Sequence, residues 1–308
     1  MTPNKTIHGA YRGRFAPSPS GPLHFGSLVA ALGSYLDAKS HHGTWLVRIE
    51  DIDTPRVVPG SDMLILKTLE HYGLNWDESV LYQSQCLTRY QEKLAELVEQ
   101  DVIYACQCTR KQIKEAGGFY MGTCREKNLT FDNQALRINQ QAPVRQFTDL
   151  IKGNVSIPAD FSEEDYIVKR RDGLFAYQLV VVLDDIEQKI THIIRGADLL
   201  YPTARQISLF AQLNAPCPQF GHLPLAVAEP GFKLSKQNYA TAINMDKPSK
   251  TLYAALQFLG ITPPSDLIES KPSEILNWAI THWQRNQIAR NNEIQLITED
   301  TNYHFRPL

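Results

Sequence analysis

Only five cysteines occur in 308 residues, too few for a scaffold stapled by disulfides. Proline (18) and glycine (17) are far below what a collagen-like chain or a linker array contains. Neither charge sign is in excess, with 31 basic and 33 acidic residues and a formal charge of −2. No global basic field therefore advertises a nucleic acid, and any such partner has to be met by a local patch. Apolar runs such as Leu179–Leu183 fall well short of the roughly 20 residues that span a bilayer. The opening MTPNKTIHGAYRGR has no apolar core of a secretory signal. These absences point to a cytoplasmic protein with reduced thiols and no membrane partner. What is present, 43% hydrophobic and 21% charged residues, suits a core-forming chain of about two domains.

The first hundred residues alternate in type. Arg12–Pro19 begins as a strand and breaks at Pro17, Pro19, Gly21 and Pro22. Leu28, Ala31, Leu32, Tyr35 and Leu36 then recur at helical spacing. Trp45–Ile49 reads as a second strand, and Asp62–Tyr72 and Thr88–Gln100 as amphipathic helices. This order predicts an α/β fold with a doubly wound, Rossmann-like parallel sheet. Residues 105–165 change character, being polar and glycine-rich with three of the five cysteines, and read as an insertion. Residues 166–194 read as β-rich, with strands at Ile167-Val168, Leu179–Leu183 and Ile190–Ile194 and a turn at Asp184-Asp185. Pro202–Leu213 returns to helix, and the 72 residues after Lys236 read as mainly helical, including Ser273–Ile288.

Two segments carry most of the chemical signal. In Arg14-Phe-Ala-Pro-Ser-Pro-Ser-Gly-Pro-Leu-His24-Phe-Gly26-Ser27 a strand gives way to a Pro/Gly-rich loop and a helix. A helix N-terminus offers free N–H groups and partial positive charge to a phosphate. His24 can donate to phosphate oxygens, and Gly26 leaves room for a nucleotide beside the backbone. Some 210 residues later, Phe232-Lys233-Leu234-Ser235-Lys236-Gln237 is a basic loop suited to a triphosphate. Each segment alone also fits a plain connection or a solvated loop.

Together and in this order they resemble the HIGH and KMSKS elements of class I aminoacyl-tRNA synthetases, with Ser27 and Gln237 departing at their last positions. Arg14–Gly21 with Leu23-His24, Arg48-Ile-Glu-Asp-Ile-Asp-Thr-Pro-Arg56, Asn75-Trp-Asp-Glu78, Tyr177 ahead of Asp184-Asp185, and His192–Asp198 resemble glutamyl-tRNA synthetases. The resemblance covers roughly residues 11–245. It implies catalytic groups at His24 and Lys236, and ATP contacts from His24, Gly26, Lys233, Ser235 and Lys236. It further implies a glutamate pocket of Arg14, Ala16, Ser18, Glu50, Tyr177 and Arg195. The chemistry is consistent: arginine matches carboxylates in bidentate fashion, Glu50 suits an ammonium, and the Tyr177 hydroxyl can orient the substrate. Glu50 and Arg195 could instead form a sheet-end salt bridge. The reaction implied is attack of the glutamate α-carboxylate on ATP, accompanied by Mg²⁺, followed by acyl transfer to RNA.

Cys106, Cys108 and Cys124 lie within 19 residues, which in a reducing compartment favours one structural Zn²⁺ over a disulfide. A fourth ligand must come from Tyr120, from an acid such as Glu115, or from water, since no histidine falls between residues 72 and 191. Resembling synthetases use tyrosine at the place of Tyr120. Cys86 and Cys217 read as packing residues. The expected organisation is a catalytic first half at 1–104, a zinc-containing insertion at 105–165, a second half with the KMSKS-like loop at 166–245, and a helical region at 246–308.

Residues 237–308 carry 6 Lys/Arg against 7 Asp/Glu and so form no basic clamp. With no anticodon-binding domain expected, the chain resembles truncated paralogues within the family. Those activate glutamate without tRNA and transfer it to queuosine in the anticodon loop of tRNA(Asp). A monomer acting on L-glutamate, ATP and queuosine-containing tRNA(Asp) is expected, with Arg137, Arg145, Lys169, Arg170 and Arg171 as possible RNA contacts. Rival readings are a compact glutamyl-tRNA synthetase that charges an acceptor end and a non-catalytic nucleotide- or RNA-binding module.

Overall fold

In the computed structural model, which describes residues 9–233, 241–299 and 302–308, the chain starts with β1 (Arg12–Phe15), α1 (Phe25–Ser40), β2 (Thr44–Ile49), α2 (Ser61–His71), β3 (Leu81–Tyr82) and α3 (Leu87–Glu99). The segment holding the expected insertion at 105–165 follows with β4 (Ile103–Cys106), α4 (Arg110–Glu115), β5 (Ala135–Ile138), β6 (Gln146–Asp149), β7 (Gly153–Ser156), α5 (Ala159–Glu163) and β8 (Ile167–Lys169). The chain then continues through α6 (Tyr177–Glu187), β9 (His192–Gly196), α7 (Pro202–Gln212), β10 (Gln219–Leu223), β11 (Leu225–Glu229) and β12 (Phe232–Lys233). It closes with α8 (Pro248–Phe258), α9 (Pro272–His282), β13 (Glu293–Glu299) and β14 (Asn302–Pro307).

β1 pairs in parallel with β2, and β2 with β3, while β9 pairs in parallel with β10. The two groups meet at Thr191, whose N–H donates to the Arg12 carbonyl at 2.9 Å and whose hydroxyl accepts the Arg12 N–H at 2.8 Å. The strands therefore run β3-β2-β1-β9-β10, and the chain reverses its winding direction between β1 and β9. In an open α/β sheet, ligands bind at the carboxyl ends of the strands flanking such a switch point.

The period of two along each strand divides the core. Phe15, Trp45, Val47, Ile49 and Ile194 face α1, α8 and α9, in one apolar cluster. Leu46 and Ile193 face the opposite side, with Tyr90 and Leu94 of α3, Leu179–Leu183 of α6 and Phe210 of α7. Arg14, Arg48 and Arg195 share that second side. The doubly wound sheet expected from the sequence is present.

Four expectations are corrected. Leu179–Leu183 belongs to helix α6 rather than to a strand, and Asp184-Asp185 lies inside that helix rather than in a turn. Every residue from Leu179 to Asp185 is buried, so the helix needs no polar stripe, and its valine run imitates a buried strand. The chain after Lys236 is not helical throughout: β13 and β14 form an antiparallel hairpin, and β13 adds in parallel to β11. The Ser273–Ile288 helix ends at His282.

Asp37 of α1, fully buried, ties the sheet layer to the C-terminal helices. It accepts from the Tyr11 hydroxyl, from Trp283 Nε1 at 2.9 Å and from Arg285 at 2.7 and 2.9 Å. Burial alone would raise its carboxyl, but the Arg285 bonds outweigh this and hold it below the ordinary 3.8. A depressed carboxylate stabilises the fold above its unfolded pKa and loses that effect as pH falls through the folded value. Asp37→Asn should therefore lower stability at neutral pH by roughly 3 kcal/mol. Denaturant unfolding should show the gap to the parent protein closing below about pH 3.8.

Candidate active site

At the switch point lies a cavity of about 530 Å³. Its lining includes Arg14, Ala16, Ser18, His24, Gly26, Glu50, Tyr177 and Arg195, the described residues that the resemblance had assigned to glutamate and ATP. Ser235 and Lys236 lie outside the described residues. So does the side chain of Lys233, whose backbone belongs to β12. The flanks of that segment are nonetheless anchored here: Leu225 and Ala226 of β11 line the cavity, and Ala242 bridges to His24.

The loop between β1 and α1 is pinned on several sides. Glu50 N–H donates to the Pro17 carbonyl at 3.0 Å, Ser61 Oγ donates to the Pro19 carbonyl at 2.6 Å, and Gly21 N–H donates to Ser61 Oγ at 3.3 Å. Gly21 sits at φ 129°, a backbone conformation that side chains disfavour. His24 caps α1, its Nδ1 accepting from Ser27 N–H at 3.3 Å. This places the ring proton on Nε2, the atom able to donate to a phosphate oxygen. A Cβ on Gly26 would meet His24 Cε1 at 3.2 Å, so the glycine keeps space for the imidazole. That close approach was not foreseen; room for a nucleotide had been the expected reason for the glycine.

Charges beneath the cavity form a closed set. Asp185 accepts from Arg14 at 3.0 and 3.3 Å and from Arg48 Nη1 at 2.9 Å. Arg48, with no exposed surface, also reaches Glu50 at 3.4 Å and Asp184 at 3.7 Å. Asp184 additionally accepts from Gln83 at 2.8 Å, Tyr90 at 2.7 Å and Arg89. Burial pushes the Asp185 carboxyl up, but Arg14 and Arg48 overcome it and hold it low. Glu50 is different: burial raises it, and the pull of Arg48 and Arg14 does not bring it back to the ordinary range. A cation arriving beside Glu50 would restore that balance.

The two arginines of the expected glutamate pocket are not equivalent. Arg14 already has a carboxylate partner in Asp185. Arg195, 5% exposed, has none among the described residues. Its Nη2 donates to Thr203 Oγ1 and Gln206 Oε1, both at 2.7 Å, its Nε to His222 Nε2 at 3.2 Å, and its Nη1 lies 3.5 Å from the Tyr177 hydroxyl. Burial depresses its pKa, as for any cation held by neutral acceptors in a low dielectric. The sheet-end pair of Glu50 with Arg195 does not form, since Glu50 is paired with Arg48. Asp149, Thr203, Gln206 and His222 were missed by sequence reasoning. The one available signal was a histidine between Gly221 and Leu223 in a short strand.

In the insertion, the Sγ atoms of Cys106, Cys108 and Cys124 all lie within 4.8 Å of one another, with Cys108 and Cys124 3.6 Å apart. Tetrahedral Zn–S bonds of about 2.3 Å call for sulfur separations close to these. The Tyr120 oxygen accepts Cys124 N–H at 2.7 Å and hydrogen-bonds the Cys106 and Cys124 thiols, whereas Glu115 stands exposed on α4 beside Lys111. Burial pushes Cys124 up, but the Gln107 N–H and the Tyr120 hydroxyl outweigh it and bring the thiol down to about 7. Cys217 is buried and Cys86 partly so, as packing residues would be. Arg137 is withdrawn from the possible RNA contacts: it is buried over the Tyr120 ring at 3.9 Å and donates to the Asp165 carbonyl.

Among the described residues no helix is long and apolar enough to cross a membrane. Residues 10–294 match the family described as tRNA synthetases class I (E and Q), catalytic domain. The chain is 54% identical over 286 residues to a glutamyl-Q tRNA(Asp) synthetase of Photobacterium profundum, covering 93% of this chain and 92% of that one. It is 53% identical to one of Vibrio vulnificus, covering 92% and 93%. Among solved structures, a glutamate tRNA ligase from Elizabethkingia meningosepticum, in complex with its amino acid, superposes with a TM-score of 0.76 at 26% identity, covering 93% of this chain and 67% of that one. A glutamate-tRNA synthetase from Elizabethkingia anophelis shares the fold, with a TM-score of 0.77 at 24% identity, covering 95% and 69%. By profile, sequence identity and fold alike, the chain belongs to the class I tRNA synthetases (E and Q), as a relative of the glutamyl-Q tRNA(Asp) synthetases.

Proposed function

We propose that the protein activates L-glutamate with ATP, without requiring tRNA, and transfers the glutamyl group to queuosine in the anticodon loop of tRNA(Asp). The observation that carries the amino-acid half is Arg195, a buried cation without a carboxylate partner among the described residues, lining the same cavity as Glu50. A ligand bearing both a carboxylate and an ammonium answers both groups. Arg195 takes the side-chain carboxylate, Glu50 the ammonium, and the Tyr177 hydroxyl fixes the orientation between them. Arg14, held by Asp185, shapes the adjoining wall with Ala16 and Ser18. The acceptor half rests on the shared name of the relatives.

In activation the glutamate α-carboxylate oxygen bonds to the α-phosphorus of ATP while the bond to pyrophosphate breaks. ATP enters as its Mg²⁺ complex, in which the cation neutralises the leaving pyrophosphate. His24 and the N-terminus of α1, with Gly26 making room, sit where they can stabilise the charge that builds on the phosphoryl oxygens. By resemblance Lys233, Ser235 and Lys236 complete this set. A hydroxyl of the queuosine cyclopentene diol then attacks the acyl carbon and AMP leaves.

Cys106, Cys108, Cys124 and Tyr120 fit a structural Zn²⁺, whose contribution is to cross-link the insertion.

Three outcomes are expected. ATP–pyrophosphate exchange should depend on glutamate and proceed without tRNA, with glutamine a poor substitute because its amide leaves Arg195 uncompensated. Arg195→Leu should lower kcat/KM for glutamate by about a hundredfold or more. Strict dependence on added tRNA would contradict the reading. For the metal, elemental analysis should find about one Zn²⁺ per chain, and Cys108→Ser should lower metal content and soluble yield. Finally, queuosine-containing tRNA(Asp) stripped of its CCA end should still accept labelled glutamate, while unmodified tRNA(Asp) should not. The reverse pattern would indicate charging of an acceptor end.

A further inference from the structure

His222 has no exposed surface and stands directly beside Arg195 in the β9–β10 register. Arg195 Nε can only donate, so the His222 Nε2 that it reaches at 3.2 Å has to be an acceptor. The ring proton is then on Nδ1, which donates to Asp149 Oδ2 at 2.6 Å. Asp149 is the last residue of β6 and nearly fully buried. Its other oxygen accepts three backbone N–H groups: Lys152 at 2.8 Å, Ile151 at 2.9 Å and His222 at 3.2 Å. Both carboxylate oxygens are thus committed as acceptors. Burial would raise the Asp149 carboxyl, but the His222 bond and these amides hold it below its ordinary value. Burial likewise keeps His222 below its ordinary value, hence neutral.

The donations therefore converge on Asp149, from three backbone amides on one oxygen and, on the other, from the guanidinium by way of the His222 ring. We propose that Asp149 and His222 are positioning residues for glutamate recognition, fixing the tautomer that orients the Arg195 guanidinium toward the substrate carboxylate without neutralising it. This rests on the reading of Arg195 as the side-chain carboxylate receptor. Asp185 shows the alternative, because direct contact with a carboxylate compensates Arg14. An imidazole between Asp149 and Arg195 supplies a geometric constraint while leaving the charge for the ligand.

The device also links the insertion to the pocket. The β6–β7 hairpin docks on β10 through Leu150 N–H to the Phe220 carbonyl at 2.8 Å. A Cβ on Gly221 would meet Ile194, Ile151 and Leu150 at 2.6 to 3.4 Å, so the glycine permits that approach.

Asp149→Asn is nearly isosteric but reverses the polarity. With the three amides claiming its oxygen, its NH₂ faces Nδ1 and drives the ring proton to Nε2, against Arg195 Nε–H. In tRNA-free ATP–pyrophosphate exchange this variant should raise KM for glutamate on the order of ten- to a hundredfold. Discrimination against glutamine should fall, with kcat and the KM for ATP within about twofold of the parent protein. His222→Leu should behave alike. His222→Gln, whose amide can donate to Asp149 and accept from Arg195, should stay within about threefold. If Asp149→Asn does not fold, the Leu and Gln variants at position 222 decide. An unchanged KM for glutamate in folded His222→Leu would overturn the proposal, as would equal losses in the Leu and Gln variants or parallel losses toward ATP and glutamate. Absence of glutamate-dependent exchange in the parent protein would instead overturn the functional reading beneath it.

Discussion

Arginines on one side of the central sheet govern the rest of the structure. Arg14, Arg48 and Arg195 project from neighbouring strands toward α6 and α7, where an ordinary α/β protein packs aliphatic side chains. A buried guanidinium without compensation is costly, so that layer of the fold has to supply acceptors. Asp184 and Asp185 supply charge from the middle of α6, while Thr203 and Gln206 of α7 supply neutral oxygens. The two kinds of compensation divide the layer into a charge-paired part and a part that lines the cavity. Where carboxylates stand, charge is consumed and the strand ends are locked. Where neutral acceptors stand, a positive edge is left facing the cavity.

The position of that cavity follows from winding. β1 leads through α1 to β2 on one side, whereas β9 lies on its other side, so the loops after β1 and β9 diverge and leave a crevice. The helix opened by His24 lines one wall, and the loop carrying Glu50 another. Because Pro17 and Pro19 carbonyls accept from Glu50 N–H and Ser61 Oγ, the proline-rich loop is held by chain that follows β2 rather than by its own turns. The insertion reaches the same place from outside, through Asp149 on its hairpin.

Much of this was legible beforehand. The helix after Leu23 follows from periodicity and the parallel sheet from the alternation of strands and helices, and the structure gathers the expected glutamate and ATP residues whose side chains are described around one cavity. Glu115 was an open choice for the metal until the fold left it exposed and brought Tyr120 to the thiols. Arg137 looked like surface charge and is stacked inside the insertion instead. Asn75–Glu78, matched only by resemblance, serves the sheet edge, where Asp77 accepts from Trp45 N–H at 2.8 Å and Lys39 at 2.6 Å.

The sequence by itself determined what is local: the short strands at β1 and β2, the helix-opening turn at His24 and Gly26, and the short spacing of the three thiols. Each depends on neighbours within a few residues, where period and turn chemistry suffice. Only the tertiary structure decided that Leu179–Asp185 is a helix, because a segment buried on every side carries no periodic signature. It also decided which of the two arginines has a carboxylate partner. Arg14 and Arg195 look alike in sequence, and their difference lies in partners 171 and 11 residues away, a carboxylate for one and an amide oxygen for the other. Charge compensation is a property of space around a buried group, and no stretch of chain encodes it alone.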